Sequence, residues 1–164
     1  MRSNLRVQFL LPLLLLGACA SIPEEESGEP PSATRSVPGT GRGTEVALFA
    51  LSLIDTGYRF GGKNPEAGLD CSGMVSYIYD KAAGVRLEGS AAQMAQQGRP
   101  VASRDFEPGD LVFFNTQNRP RSHVGIYVGE GKFVHAPQSN GKVKVSSLRS
   151  SYFAARFEEA RRYL

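Results

Sequence analysis

The chain has 164 residues, of which 41% are hydrophobic and 21% charged, values that fit one compact domain and leave little room for a second. The formal net charge is +3, but two of the 19 cations, Arg2 and Arg6, precede a leucine-rich run that we expect to be removed. The remaining chain is close to neutral and therefore a poor candidate for binding nucleic acid, which requires clustered Lys and Arg.

The amino-terminal segment has the composition of an export signal. Arg2 and Arg6 form a positive start, and the apolar stretch 9–16 is far shorter than the roughly 20 residues of a membrane-spanning helix. It ends in Leu-Gly-Ala-Cys at Cys19, which resembles the lipobox of bacterial lipoproteins. We expect residues 1–18 to be a signal peptide and Cys19 to be acylated; a chance cysteine after an ordinary signal is the alternative.

The segment that follows predicts a tether. Residues 19–43 are rich in Pro, Glu, Ser and Gly and hold almost no large apolar side chain, a composition typical of disordered linkers. More than one acyl chain on Cys19 would give stable membrane attachment. In lipoproteins that resemble this one, a residue other than Asp after the cysteine, here Ala20, implies transfer to the outer membrane. We expect a lipid-anchored envelope protein, facing the periplasm from the outer rather than the inner membrane, with its ordered domain at 44–164.

The ordered domain opens with helical patterns. Apolar residues recur at helical spacing in three segments, each preceded by a residue that caps helices and followed by a glycine. The third segment also has a capping box formed by Ser90 and Gln93. The predicted helices follow Thr44, Asp70 and Ser90, and they end near Gly57, Gly84 and Gly98.

The second half of the domain has the pattern of strands. After the turn Pro-Gly-Asp at 108–110, apolar segments alternate with short glycine-containing turns, which favours antiparallel pairing. Helices first and strands second predict the α+β class, with helices packed on a small twisted sheet or half-barrel. The predicted strands are 111–114, 123–128, 132–135, 142–145 and 157–163.

Cys71 lies in the first turn of the second predicted helix, directly after its cap. Unpaired N–H groups and the positive end of the helix dipole stabilise a thiolate there, so we expect a lowered thiol pKa, although the charge of Asp70 opposes it. If Cys19 is acylated, Cys71 is the only free thiol of the mature chain. The position predicts a nucleophile; a small core residue on the apolar face of the helix is the alternative.

A cysteine nucleophile needs a base, and the chain has two histidines, His123 and His135, on adjacent predicted strands. Strand alternation puts His123 on the same face as Gly125, which would leave room for a second ring. A three-residue loop at 129–131 places His135 opposite Gly125, whereas a two-residue loop turns it to the other face. The first register predicts a triad in which His123 deprotonates Cys71 and His135 orients His123. The alternatives are a half-buried strand histidine and a hydrogen-bonded surface histidine.

Five short motifs follow one another through this region. They are Tyr-Arg-Phe-Gly-Gly at 58–62, Leu-Asp-Cys-Ser-Gly at 69–73, Pro-Gly-Asp-Leu-Val-Phe-Phe at 108–114, Ser-His-Val-Gly-Ile-Tyr at 122–127 and Phe-Val-His-Ala-Pro at 133–137. Together they resemble the NlpC-type family of bacterial cell-wall cysteine peptidases, over about residues 44–164. The resemblance implies a papain-like core that hydrolyses amide bonds in peptidoglycan stem peptides or their cross-links, with Cys71, His123 and His135 as the catalytic triad.

The resemblance also implies three substrate-contacting residues. Asp70 and Ser72 flank the nucleophile, and the hydroxyl of Tyr58 lies near the thiol, where it helps to position the substrate or the oxyanion. The alternatives are a helix cap, a first-turn residue and a core tyrosine, respectively. Phe60 stands where the family often has an indole or an aromatic hydroxyl, so a polar contact from this position is in doubt. The backbone N–H of Cys71 is the natural first oxyanion donor.

These features predict a monomeric enzyme with two partners, the stem peptides and, through Cys19, a membrane. Two histidines and one mature thiol make no metal cluster, so we expect neither a metal nor a cofactor. Another thiol amidohydrolase of the wall, such as a CHAP-type amidase, and a non-catalytic wall-binding lipoprotein are the alternatives. The Pro-Gly-Asp strand and the twelve-residue spacing of His123 and His135 favour the endopeptidase, and the intact triad argues against an inactive protein.

Overall fold

A computed structural model of the protein describes residues 41–138 and 141–164. The predicted signal peptide 1–18, the predicted lipidation site Cys19 and nearly all of the predicted tether 19–43 lie outside these residues. Within the described part of the chain, no helix has both the length and the apolar character needed to cross a membrane.

The nucleophile-bearing helix forms where it was predicted. The side chain of Asp70 caps its first turn by accepting the N–H of Gly73, and Gly84 ends it in the left-handed conformation with φ 65°. Both signals are local in sequence, and both are confirmed. The four α-helices of the described residues are α1 (Arg42–Ser52), α2 (Cys71–Ala83), α3 (Ala91–Met94) and α4 (Ser151–Ala154).

Helix α1 begins earlier than predicted. Its N-cap is Gly41, and the N–H of Thr44 already donates to the Gly41 carbonyl at 2.8 Å. The cap predicted at Thr44 is therefore wrong. The early start brings Gly43 against the Pro108 carbonyl, so closely that a Cβ at Gly43 would lie 2.3 Å from that oxygen. Tertiary packing thus decides where this helix begins.

Helix α3 is shorter than the predicted segment 91–97. The capping box of Ser90 and Gln93 is present as expected. Beyond it, the N–H of Gln96 donates to Gln93 and that of Gln97 to Met94, both across three residues. These tighter turns end the α-helix before Gly98, which has φ 71°.

The strands form a six-stranded antiparallel sheet and a separate two-stranded hairpin. The helices and the sheet confirm the predicted α+β class. In the sheet the strands lie in the order β3-β8-β4-β5-β6-β7. The strand bounds are β1 (Lys63–Asn64), β2 (Gly68–Leu69), β3 (Arg99–Pro100), β4 (Leu111–Phe114), β5 (His123–Gly129), β6 (Lys132–His135), β7 (Lys144–Ser147) and β8 (Phe157–Arg162).

Strand β7 lies two residues later than the predicted strand 142–145. Lys142 pairs instead with Gly57, in the turn that follows α1. Val143 is held there too, because its N–H donates to Thr56 at 2.8 Å and its carbonyl accepts the N–H of Asp55 at 2.9 Å. The pairing with β6 therefore starts only at Lys144.

The sheet is apolar on both faces. Alternate residues of β4 point to opposite sides, so Phe113 contributes to one core and Phe114 to the other. Helices α1 and α2 cover the first face, where Val124 and Ile126 pack. The second face carries an aromatic cluster that consists of Phe106, Phe114, Tyr127, Phe133, Phe153 and Phe157.

A buried ion pair explains the Asp of the Pro-Gly-Asp motif. Asp110 is 2% exposed, and its carboxylate accepts two hydrogen bonds from the Arg162 guanidinium, at 2.7 and 2.8 Å. The same carboxylate accepts the N–H of Glu107 at 2.9 Å. Because the pair joins the start of β4 to the end of β8, we assign this motif residue a structural role.

Candidate active site

Asp70 organises the start of α2. One carboxylate oxygen accepts the N–H of Gly73 at 2.7 Å and the hydroxyl of Ser72 at 3.0 Å. The other oxygen accepts the N–H of Gly61 at 2.9 Å. Asp70 therefore joins the glycine-rich loop to the helix that begins with Cys71, and Ser72 is hydrogen-bonded to it.

Two glycines allow the loop to lie directly on this helix. The N–H of Asp70 donates to the Gly62 carbonyl at 3.1 Å. A Cβ at Gly73 would lie 1.9 Å from the same carbonyl oxygen, a distance that no side chain permits. Glycine at position 73 is thus required for the loop to hold the first turn of α2, and with it Cys71, in place.

The thiol of Cys71 is half-buried against the start of β5. The backbone N–H of Val124 contacts the sulfur and lowers the thiol pKa, as do the N–H groups of Ser72 and of Cys71 itself. Burial is the larger influence, and with the charge of Asp70 it raises the pKa of Cys71 to about 11. The lowered pKa predicted for this thiol is wrong, because desolvation outweighs the backbone N–H contacts at the sulfur. The thiol is therefore protonated at neutral pH.

Tyr58 lies beside the nucleophile. Burial raises the pKa of its phenol, and the charges of Cys71 and Asp70 raise it further, which they do only at short range. Part of the ring packs against the core covered by α1 and α2. Tyr58 therefore combines the two environments considered for it, a core contact and a position near the thiol.

The β5–β6 hairpin brings the two histidines together by a route that differs from the prediction. Glu130 and Gly131 form a two-residue turn with φ values of 54° and 71°. One extra residue in β5 just before the turn forms a bulge and shifts the register by one position. On the side of the bulge away from the turn, the residues of β5 and β6 pair as they would across a three-residue loop. His135 therefore lies on the same face of the sheet as His123.

The nearest neighbours of Gly125 are the ring of Phe133 and the Val134 carbonyl, and not the histidines for which room was predicted. A Cβ at this position would lie 2.5 Å from Cδ2 of Phe133 and 2.9 Å from the carbonyl of Val134. The ring of Phe133 lies 5.1 Å from that of His135, centroid to centroid. Gly125 thus acts on the site indirectly, through the aromatic wall against which His135 packs.

The side chains of His123 and His135 form a buried, hydrogen-bonded pair. Nε2 of His123 lies 2.8 Å from Nδ1 of His135, and the residues are 3% and 2% exposed. Burial lowers the pKa of His123 to about 4. It lowers that of His135 to about 3, with smaller contributions from His123 and Lys144. Both rings are therefore neutral at pH 7.

Ser146 extends this pair and was not predicted. Its Oγ lies 2.9 Å from Nε2 of His135, so that three side chains form one hydrogen-bonded chain. Ser146 is two residues after Lys144, the strand partner of His135, and therefore lies on the same face of the sheet. The predicted strand 142–145 ended before Ser146, so the sequence pattern did not place this residue beside His135.

The predicted site residues thus form two groups. The first group lies at the start of α2 and consists of Tyr58, Asp70, Cys71 and Ser72. The second group consists of His123 and His135 and lies on the aromatic face of the sheet. The groups meet where the Cys71 sulfur contacts the N–H of Val124, the residue after His123. The described structure has no hydrogen bond between the Cys71 and His123 side chains.

Two cavities adjoin these groups. One, of about 690 Å³, is lined by Lys63, by one side of α2 from Asp70 to Asp80, with Ser72 among its residues, and by the segment 86–90 that follows the helix. The other, of about 470 Å³, is lined by both histidines. In residues 41–138 and 141–164, no three His, Cys, Asp or Glu side chains are arranged to hold a metal ion.

Known proteins are similar to this chain in sequence. The chain is 37% identical over 127 residues to murein DD-endopeptidase MepH of Escherichia coli K12. This alignment covers 75% of this chain and 47% of that protein. It is 41% identical over 119 residues to gamma-DL-glutamyl hydrolase of Bacillus subtilis 168, covering 72% and 29%. The chain thus spans about half or less of the length of these two curated relatives.

Solved structures are similar to the fold as well. The crystal structure of the NlpC/p60 domain of the peptidoglycan hydrolase SagA matches with a TM-score of 0.64 at 30% identity, covering 74% of this chain and 98% of that one. The sequence model of the NlpC/P60 family matches residues 55–162, the region that contains every predicted site residue except Cys19. The chain belongs to the NlpC/P60 family.

Proposed function

We propose that this protein is a peptidoglycan endopeptidase that hydrolyses amide bonds in stem peptides or their cross-links through a Cys71–His123–His135 triad. The observation that carries the proposal is the hydrogen-bonded pair of His123 and His135. His123 is the first residue of β5, and the N–H of the next residue, Val124, contacts the Cys71 sulfur. Membership of the NlpC/P60 family supports it, as do relatives that are named for cleaving murein.

In the proposed mechanism Cys71 and His123 start as a neutral pair. Nε2 of His123 is engaged with His135, so Nδ1 is the atom left to accept the thiol proton. Transfer of that proton accompanies attack of the sulfur on the amide carbon, because a thiol with a pKa of about 11 is hardly ionised beforehand. The C–N bond then breaks, and His123 returns the proton to the leaving amine.

The second half of the reaction releases the acyl group. A water molecule gives one proton to Nδ1 of His123 and attacks the thioester carbon. The C–S bond breaks, the sulfur takes back the proton, and the product is a carboxylic acid. In both halves the oxyanion would lie against the N–H of Cys71 at the start of α2 and near the phenol of Tyr58.

The proposed roles of Asp70 and Ser72 in substrate binding must be reconciled with their internal hydrogen bonds. Both Asp70 oxygens already accept donors from the chain, at 2.7 to 3.0 Å. A carboxylate has further lone pairs, so Asp70 can accept a donor of the substrate while it continues to cap α2. Ser72, which donates to Asp70, offers its oxygen as an acceptor.

Muropeptides of defined structure test the proposal directly. The full-length protein is expected to release fragments cut within a stem peptide or a cross-link, with equal rates in the presence of excess chelator. Cys71→Ala should abolish the cleavage, and Lys81→Ala, at an exposed position of the same helix that does not line the cavities, is the control. Fragments cut between glycan and peptide would indicate an amidase, and no cleavage would indicate a binding protein. Either result would refute the endopeptidase.

Attachment to a membrane is a separate proposal that is based on the sequence around Cys19. We propose that the acylated cysteine anchors the protein in the cell envelope, at the outer membrane. Cys19→Ala should leave turnover of soluble muropeptides unchanged and move the protein into the soluble fraction. Persistent membrane association of this variant would show that the lipobox assignment is wrong.

A further inference from the structure

The cavity of about 470 Å³ lies on the aromatic face of the sheet, beside the histidine pair. His123 and His135 form part of its wall, and Tyr152 and Phe153 of α4 form another part. This arrangement gives the cavity an apolar side and places it next to the base of the proposed reaction.

Lys144 gives the cavity a positive charge. It is the one ionised side chain among the described lining residues, because both histidines are neutral at pH 7 and no carboxylate lines the cavity. None of the carboxylates in the described ranges forms an ion pair with it. Its charge acts at short range, since it contributes to the lowered pKa of His135. The cavity is therefore electrostatically suited to an anion.

The walls of the cavity suit an organic anion. Lys144 supplies an ammonium, and Tyr152 and Phe153 supply apolar surface. Thr116 also lines the cavity, but its hydroxyl oxygen is buried out of reach of solvent. An ammonium beside an apolar wall matches a carboxylate attached to an organic group.

The direction of proton transfer indicates which part of the substrate enters this cavity. His123 protonates the leaving amine, so the chain that continues from that nitrogen leaves on the histidine side. The acyl part stays bound to Cys71, and the larger cavity at the start of α2, lined by Asp70 and Ser72, has no lining residue in common with this one. The cavity beside the histidines is thus on the amine side of the cleaved bond.

We propose that this cavity binds the free carboxylate of the residue on the amine side of the cleaved amide, with Lys144 as its counter-ion. The inference rests on the proposed function and narrows its substrates. Amides whose amine-side residue carries a free carboxylate are preferred over those in which that carboxylate is amidated.

The test uses two synthetic stem peptides that differ only at this group, a carboxylate in one and a carboxamide in the other. Full-length wild-type protein in detergent should have the lower KM for the carboxylate. Lys144→Met should raise that KM about fivefold, the upper range for a solvent-accessible ion pair, and leave the carboxamide KM unchanged.

Lys142→Met is the matched control. Lys142 is also exposed and only two residues away, but it does not line the cavity and lies 4.0 Å from Asp55. The Lys142→Met variant should leave the KM values for both peptides unchanged. Equal changes for the two peptides in Lys144→Met, or an equal effect of Lys142→Met, would overturn the inference. Failure of the wild type to cleave either peptide would instead refute the proposed function, and the inference with it.

Discussion

Replacing Ser146 tests how the site selects one protonation pattern of its histidines. For Nδ1 of His123 to accept the thiol proton, Nε2 of that ring must carry a hydrogen and donate it to Nδ1 of His135, 2.8 Å away. His135 then carries its own hydrogen on Nε2 and donates it to Oγ of Ser146, 2.9 Å away. In Ser146→Ala this last acceptor is lost, and the favoured tautomer of both rings is weakened.

The size of the effect follows from one neutral hydrogen bond. Such a bond contributes about 0.5 to 1.5 kcal/mol net, which corresponds to a factor of about 2 to 12 in the population of the productive tautomer. We therefore expect kcat of Ser146→Ala to fall about fivefold, with KM unchanged, since Ser146 acts through His135 and not on the substrate. Ser146→Thr keeps the hydroxyl and should restore kcat.

Nitrogen-15 NMR reads the tautomers without any activity assay. The chain has two histidines, so a histidine-labelled sample contains four ring nitrogens. At pH 7 the wild type should show Nε2 protonated and Nδ1 unprotonated in both rings, and Ser146→Ala should show a mixture in His135. Ser147→Ala, at the next position of β7, is the control and should match the wild type. Wild-type tautomers and wild-type kcat in Ser146→Ala would refute the reasoning.

Three further predictions concern the thiol and the histidines. Turnover should decrease in the order wild type, His135→Asn, His135→Ala, His123→Ala, with unchanged circular dichroism; wild-type turnover in His135→Ala would place the third residue elsewhere. In Cys19→Ala, where Cys71 is the only thiol, alkylation by iodoacetamide should accelerate about tenfold per pH unit from pH 7 to 10, because burial raises its pKa to about 11. A plateau near neutral pH would indicate a preformed ion pair instead. Between pH 6.5 and 4 the unfolded chain binds protons that buried His123 and His135 do not, so the free energy of unfolding should fall by about 3 kcal/mol for each ring as the pH drops through this range. Urea titrations at the two pH values measure this loss. His123→Gln should lose about half as much as the wild type, and a loss as large as that of the wild type would exclude His123 as a source.

What the sequence predicts well in this chain depends on neighbouring residues. Asp70 caps a helix that Gly84 ends, and both residues act within the helix they delimit. The face of His123 follows from strand alternation alone. The register of His135 agrees with the prediction although the loop does not, because a two-residue turn and a one-residue bulge add up to the same shift as a three-residue loop.

What the sequence does not predict depends on contacts between distant segments. The thiol pKa of Cys71 is raised by burial against β5, which begins 52 residues later, and position in a helix gives no information about that burial. Ser146 was missed because Lys142 pairs with Gly57 and delays the start of β7. In both cases the local pattern is correct, and a long-range contact changes its consequence.

Cys71 and His123, the proposed nucleophile and base, each begin an element of the fold. Cys71 is the first residue of α2, which packs on one face of the sheet, and His123 is the first residue of β5 and points to the other face. Aromatic rings cover part of the histidine pair, with those of Phe133 and Phe153 within 5.2 Å of the ring of His135. Desolvation favours the neutral thiol and the neutral imidazole alike. In the proposed reaction both groups therefore start uncharged, and transfer of the thiol proton to His123 accompanies attack of the sulfur on the substrate carbonyl.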